Sequence, residues 1–169
     1  LITGTTFFVV ATQTKDNIFS LTQDEIRTKA AIAALSVDGD AIDSIAQGGE
    51  GSPAYAAVQD QLRAIRISDG KVRYAYIMRR TPEGVVFIVD ADYGLPAGGA
   101  AIGQPYPDAT EDLLAGFLAP SADRAFTTDQ WGTVLSGYAP VRNSKGAVVG
   151  IIGIDLDETN VAGRISYLN

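Results

Sequence analysis

Three aspartates and three aromatic residues carry most of the chemistry this chain can offer. Asp90 and Asp92 stand two apart at the end of the apolar run 85–90 (VVFIVD). A strand there turns both carboxylates to one side, and such a pair binds a cation or an amine, unless it is only a solvated strand end. Asp155 closes a second apolar run, GIIGID. A carboxylate in mid-sheet is costly unless it is paired or faces a wet cavity, so Asp155 is either a ligand-binding group or a helix cap one turn early. Tyr76 shares a face of VRYAYIMRR with Tyr74 and Met78, and Arg73, Ala75, Ile77 and Arg79 share the other. Tyr138 lies in the same final hairpin as Asp155, and Trp131, the only tryptophan, stands at the mouth of its first strand. These six, Tyr76, Asp90, Asp92, Trp131, Tyr138 and Asp155, are the candidate ligand-binding residues.

What is missing narrows the chemistry further. The 169 residues include no Cys and no His. That removes thiol and Ser-His-Asp nucleophiles, iron–sulfur clusters, His-ligated haem and the common zinc sites, leaving carboxylate pairs, Lys chemistry and oxygen-ligated cations. The balance of 13 basic against 20 acidic residues gives a net charge of -7, which repels a phosphate backbone. No nucleic-acid partner is expected, and no cofactor or metal. The glycines of GAVVGIIG have the wrong spacing for a dinucleotide loop and lie in a strand rather than a strand-to-helix turn. The Gly48-Gly49-Glu50-Gly51 loop lacks the lysine of a phosphate loop and reads as a connector.

Length and composition, with 46% hydrophobic and 20% charged residues, fit one globular domain. Apolar positions Ile26, Ala30, Ala33 and Val37 recur at helical spacing. Thr22 and Glu25 have the spacing of a capping box, yet Ile18 and Phe19 extend the pattern upstream, so the helix either starts at Thr22 or runs through it. The apolar segment 1–11 is a buried element or the outer end of a membrane helix. A short helix is expected over 41–47, capped by Asp40. Ser52-Pro53 starts another helix, with Tyr55, Val58, Leu62 and Ile65 on one stripe and Asp69-Gly70 at its end.

Strands then follow at 72–80 and 85–90, joined by Thr81-Pro82-Glu83-Gly84. A Gly- and Pro-rich crossing, 91–123, contains one helix at 111–118. The last third is a hairpin, 132–142 and 147–155, turned by Asn143-Ser144-Lys145-Gly146. Asp157 caps a closing helix with Val161, Ile165 and Leu168 on one stripe. The order gives an α+β fold with an antiparallel sheet. A type I turn with a glycine bulge at Gly146 sets Asp155 opposite Leu135, on a face with Gly137, Ala139 and Gly153. A two-residue turn reverses the parity and brings Tyr138 to Asp155.

The segment 131–158, WGTVLSGYAPVRNSKGAVVGIIGIDLDE, resembles the closing hairpin of extracellular PAS-like sensor domains of the Cache (PDC) type, and the match continues more weakly over 52–93. The resemblance implies a five-stranded antiparallel sheet behind a long N-terminal helix, with a short exit helix. It divides the chain into an N-terminal helical segment, 1–51, leading from the membrane, and a sensor core, 52–169. It further implies a ligand-sensing domain outside the cell membrane, in a receptor anchored on both sides, a sensor histidine kinase before a chemoreceptor or nucleotide cyclase. A small acid or amine would sit against the sheet, with Asp155 matching the final-strand Asp that pairs with ligand amines. The Arg-x-Trp-Tyr cluster of the amino-acid-binding subgroup is absent. A carboxylate-dependent hydrolase or metal-dependent enzyme using Asp90, Asp92 and Asp155, or a module dimerising through the N-terminal helix, is the alternative.

Overall fold

A computed structural model describes residues 4–46, 49–96 and 98–166. Helix α1 (Gly4–Ser36) is uninterrupted, so Thr22 is an interior residue: its hydroxyl donates to the Ile18 carbonyl at 2.9 Å and caps nothing. At about 1.5 Å per residue its length is roughly 50 Å, and it buries Ile26, Ala30 and Ala33 of the expected stripe, with Val37 buried just past its end. Helix α2 (Gly39–Ser44) begins earlier than expected, capped by Asp38, whose carboxylate accepts from the Ala41 amide at 3.0 Å. The expected cap, Asp40, is instead engaged by the amide and hydroxyl of Ser144, both at 3.0 Å. Gln47 and Gly48 lie outside the described residues. Helix α3 (Pro53–Ser68) starts as its sequence dictates, with the Ser52 hydroxyl accepting from the Tyr55 amide.

The strands are β1 (Val72–Thr81), β2 (Gly84–Asp90), β3 (Ser121–Ala122), β4 (Thr127–Asp129), β5 (Gly132–Arg142) and β6 (Val148–Asp157). Helix α4 (Glu111–Ala115), capped by Thr110 and shorter than the expected 111–118, lies between β2 and β3, and α5 (Glu158–Ser166) closes the chain. All pairings are antiparallel, in the order β2-β1-β6-β5-β3. The sheet thus has the five positions expected, but the outermost is shared by two short strands, because β4 also pairs with β5. Two-residue and three-residue strands carry too little pattern to be read from sequence.

The final hairpin corrects the preferred register. Its turn is the one expected: the Gly146 amide reaches the Asn143 carbonyl at 2.9 Å, Gly146 has φ +79°, and the Asn143 amide bonds Ala147. Beyond it, Arg142 pairs with Val148 but Val141 pairs with Gly150, so Val149 is an extra residue in β6. This second bulge reverses the parity. Asp155 therefore stands opposite Ser136 rather than Leu135, and Tyr138 opposite Gly153.

One face of the sheet, with Ala75, Ile77, Leu135, Ala139, Ile152, Ile154 and Leu156, packs under α1 and α3. The small residues there serve helix packing: a side chain on Gly137 would run into the Ile26 carbonyl of α1. The other face, with Tyr76, Met78, Phe87, Tyr138 and Ile151, lies under the 91–131 crossing. Among the described residues no helix is long and apolar enough to cross a membrane.

Candidate functional site

The second face encloses a cavity lined by Tyr74, Tyr76 and Met78 of β1, Phe87 and Asp90 of β2, Val134 of β5, Asp155 of β6, and Asp92, Gly98, Tyr106, Asp129 and Trp131 of the crossing. At ≈ 20 Å³ it has room for about one water molecule. Five of the six residues singled out from sequence meet here. Tyr138 does not line the cavity; it is buried in the same apolar cluster as Leu113 and Ile151.

Asp155 is the centre of this arrangement. It is 5% exposed, and the Tyr76 hydroxyl donates to its Oδ1 at 2.9 Å. Burial pushes its carboxyl up to about 8, against hydrogen bonds from Ser136 and Tyr76 that lower it. The capping alternative is thereby overturned: Asp157 does that work, its carboxylate accepting from the Thr159 amide at 2.8 Å. Tyr76 reaches Asp155 because Gly153, directly opposite it in β6, has no side chain.

The Asp90–Asp92 pair is used differently from the cation site its spacing suggested. Asp90 accepts the Asp92 amide at 2.7 Å and the Ala100 amide at 2.9 Å, so its carboxylate ties both ends of the 91–100 turn. Its pKa is raised to about 6 by burial, partly opposed by the Ala100 amide. Asp92 forms an ion pair with Arg66 of α3. Gln59 and Arg63 of the same helix bond the carbonyls of Asp90, Ala91 and Tyr93. Among the described residues no group of three or more acidic side chains is placed to hold a metal ion.

Sequence reasoning missed Tyr106, Asp129 and Phe87. Tyr106 donates to Asp129 Oδ2 at 2.9 Å, and Asp129 Oδ1 accepts the Trp131 amide at 2.8 Å. Phe87 meets the rings of Tyr76, Tyr106 and Trp131 edge-on, with centroids 5.4 to 5.7 Å apart. Alternation along β2 places Phe87 on this face, but Tyr106 and Asp129 arrive from a segment without periodicity. The resulting wall is aromatic and acidic, and no Lys or Arg lines it. Such a surface favours a positive ligand through carboxylates and ring faces, and disfavours an anion.

No protein-family model matches the chain, and no curated protein matches it. Solved structures do match. The ligand-binding domain of the Campylobacter jejuni chemoreceptor Tlp3 in complex with L-valine superposes with a TM-score of 0.58 at 14% identity, over 93% of this chain and 59% of that one. The Escherichia coli DcuS sensor domain gives 0.58 at 16% identity, over 86% of this chain and 98% of that one. An extracellular ligand-binding receptor from Desulfohalobium retbaense gives 0.63 at 15% identity, over 98% of this chain and 28% of that one. The chain therefore spans about three-fifths of the Tlp3 domain and nearly the whole DcuS domain. The fold is that of these ligand-binding and sensor domains.

Proposed function

We propose that this chain is the ligand-sensing domain of a membrane receptor, a sensor histidine kinase, and that it binds a small organic amine against the sheet. The observation that supports it most is Asp155: a carboxylate buried in mid-sheet, held by Tyr76, at the bottom of a cavity walled by aromatic rings and other acids. Between the acid and amine ligands that the sequence left open, the absence of any basic residue from the wall favours the amine. The bound L-valine of Tlp3 carries such a group.

The enzyme alternative fares less well, because Asp90 and Asp92 spend their acceptors on backbone amides and on Arg66. In this reading the segment 1–51 leads from the membrane, 52–169 is the sensor core, and the domain stands on the extracellular or periplasmic side. Signal leaves through α5, whose capping residue lies two positions beyond Asp155 and which packs against α1. Leu21, Ile32 and Leu35 are exposed on α1, which fits a homodimer formed through that helix.

Thermal-shift screening of amines, amino acids and carboxylates tests the proposal. A true ligand at 100 times its Kd stabilises by about 2.7 kcal/mol. The shift should appear for amines, fail for simple carboxylates, and vanish in Asp155→Asn. A carboxylate that shifts both proteins equally would refute it.

A further inference from the structure

As it stands closed, the inner cavity holds no more than about one water molecule, so an organic ligand enters only as it widens; it adjoins a groove of ≈ 710 Å³ lined by Arg66, Arg73, Leu95, Pro96, Asp157 and Asn160, among others. Four residues, Tyr74, Asp92, Gly98 and Trp131, line both spaces and so form the partition between them. The two sides of that partition are held very unequally. On one side, Asp92 is fixed by Arg66, its amide is bonded to Asp90, and Gly98 precedes a stretch pinned through Ala100 to the same carboxylate. Gln59 and Arg63 add four bonds from α3 to the carbonyls of Asp90, Ala91 and Tyr93.

On the other side, Trp131 sits at the tip of the two-residue turn between β4 and β5, in which Asp129 pairs with Gly132. The tip is fixed to its own strand by Asp129, and to the central sheet by one hydrogen bond, from the Tyr74 hydroxyl to the Trp131 carbonyl at 3.0 Å. Beyond that bond the tip is held by the Tyr106 hydroxyl on Asp129 and by the edge-on contact of Phe87 with the Trp131 ring, and β4 itself is three residues long and on the edge.

We propose that Tyr74 and Trp131 form the gate of the inner cavity, and that their hydrogen bond is the latch that must open for ligand to pass from the outer groove. The proposal rests on the inner cavity being the ligand site and adds how that site is reached. Because Asp157 and Asn160 wall the groove just outside, ligand passes the first turn of α5 as it enters. The fixed jamb is then the Asp92–Gly98 side, and the moving jamb is the β4–β5 tip.

The absence of cysteine permits a ligand-free test. Val134→Cys places one thiol in the cavity wall at little cost in shape. Its rate of modification by methyl methanethiosulfonate, a small neutral thiol reagent, is compared with that of the urea-unfolded chain. It should be slow when folded, and adding Tyr74→Phe should accelerate it about three- to tenfold, the factor that one net hydrogen bond represents. Thr128→Ala, which removes the exposed Thr128–Thr133 hydroxyl contact in the same hairpin, controls for simple fraying and should leave the rate unchanged. A rate unaffected by Tyr74→Phe, an equal acceleration by Thr128→Ala, or a folded rate matching the unfolded chain would each overturn the gate. No amine is involved, so failure of the amine screen and failure of the gate are separate results.

Discussion

The ring of Tyr76 occupies the space that a side chain on Gly153 would fill, and that placement carries its hydroxyl to Asp155 Oδ1 at 2.9 Å. Tyr76 and Gly153 stand opposite each other across β1 and β6, two residue positions from the Tyr74–Asp155 pair. A missing side chain in one strand thus positions an aromatic hydroxyl against a buried carboxylate in the same strand.

Gly153→Ala should therefore cost about 1–3 kcal/mol, as overpacking of a tight core does, and should displace Tyr76 from Asp155. Chemical denaturation measures the loss. The displacement would appear as a further rise in the Asp155 pKa, since the Tyr76 bond is one of the interactions lowering it. An unchanged stability would mean that the ring moves aside freely.

Stability should fall as pH rises from 5 to 8. Burial raises Asp155 to about 8, and Asp90 and Asp123 to about 6, above the ordinary carboxylate value. Between about pH 4 and those values the folded chain holds protons that the unfolded chain has released, so each unit of pH favours unfolding by up to about 1.4 kcal/mol per group. For a chain of this size that is about 3–6 °C in Tm. Asp155→Asn should remove the part of the decline between pH 6 and 8, measured by thermal unfolding in a pH series. A flat wild-type profile would mean that burial does not hold these carboxyls protonated in the folded chain.

Amine affinity should run the other way. An ammonium needs the ionised form of Asp155, so binding must expel its proton at neutral pH. Affinity should increase about tenfold per unit as pH approaches 8 and level off above it. Titration calorimetry in two buffers of different ionisation enthalpy should report close to one proton released at pH 6.5, and none above pH 9.

Arg66→Ala leaves Asp92 buried and unpaired, and should destabilise by about 1–3 kcal/mol. Asp92→Asn in the same protein should recover part of that loss, because the neutral amide needs no cation. If the two substitutions add without coupling, the ion pair is not what fixes the 91–100 turn.

Movement of the exit helix is measurable with spin labels at Thr28→Cys and Ala162→Cys, both exposed, since the chain has no cysteine of its own. Saturating amine should shift the distance distribution between α1 and α5. An unchanged distribution in protein shown to bind would exclude signalling through α5.

Much of this architecture follows from local sequence. The 3.6-residue spacing of Ile26, Ala30, Ala33 and Val37 specifies a buried helix face, Ser52-Pro53 specifies a helix start, and alternation through 72–90 specifies two strands, because each signal is a property of a few neighbouring residues. Asp155 was recognisable too, since a charge inside an apolar strand is conspicuous wherever that strand lies.

Other features were decided only by contacts between distant segments. Asp38 rather than Asp40 caps α2 because the turn 100 residues later claims the Asp40 carboxylate. The parity of the final hairpin was settled by a bulge at Val149, beyond the turn that sequence described correctly, and one extra residue moved Tyr138 to the face of Asp155 and gave Gly137 and Ala139 to α1. Asp90 and Asp92 became a clamp instead of a cation pair because Arg66 and the Ala100 amide reach them only in the folded chain. Tyr106 and Asp129 joined the cavity from a crossing with no periodic pattern. Periodicity fixes which way a residue faces along its own element; what it meets there depends on elements tens of residues away.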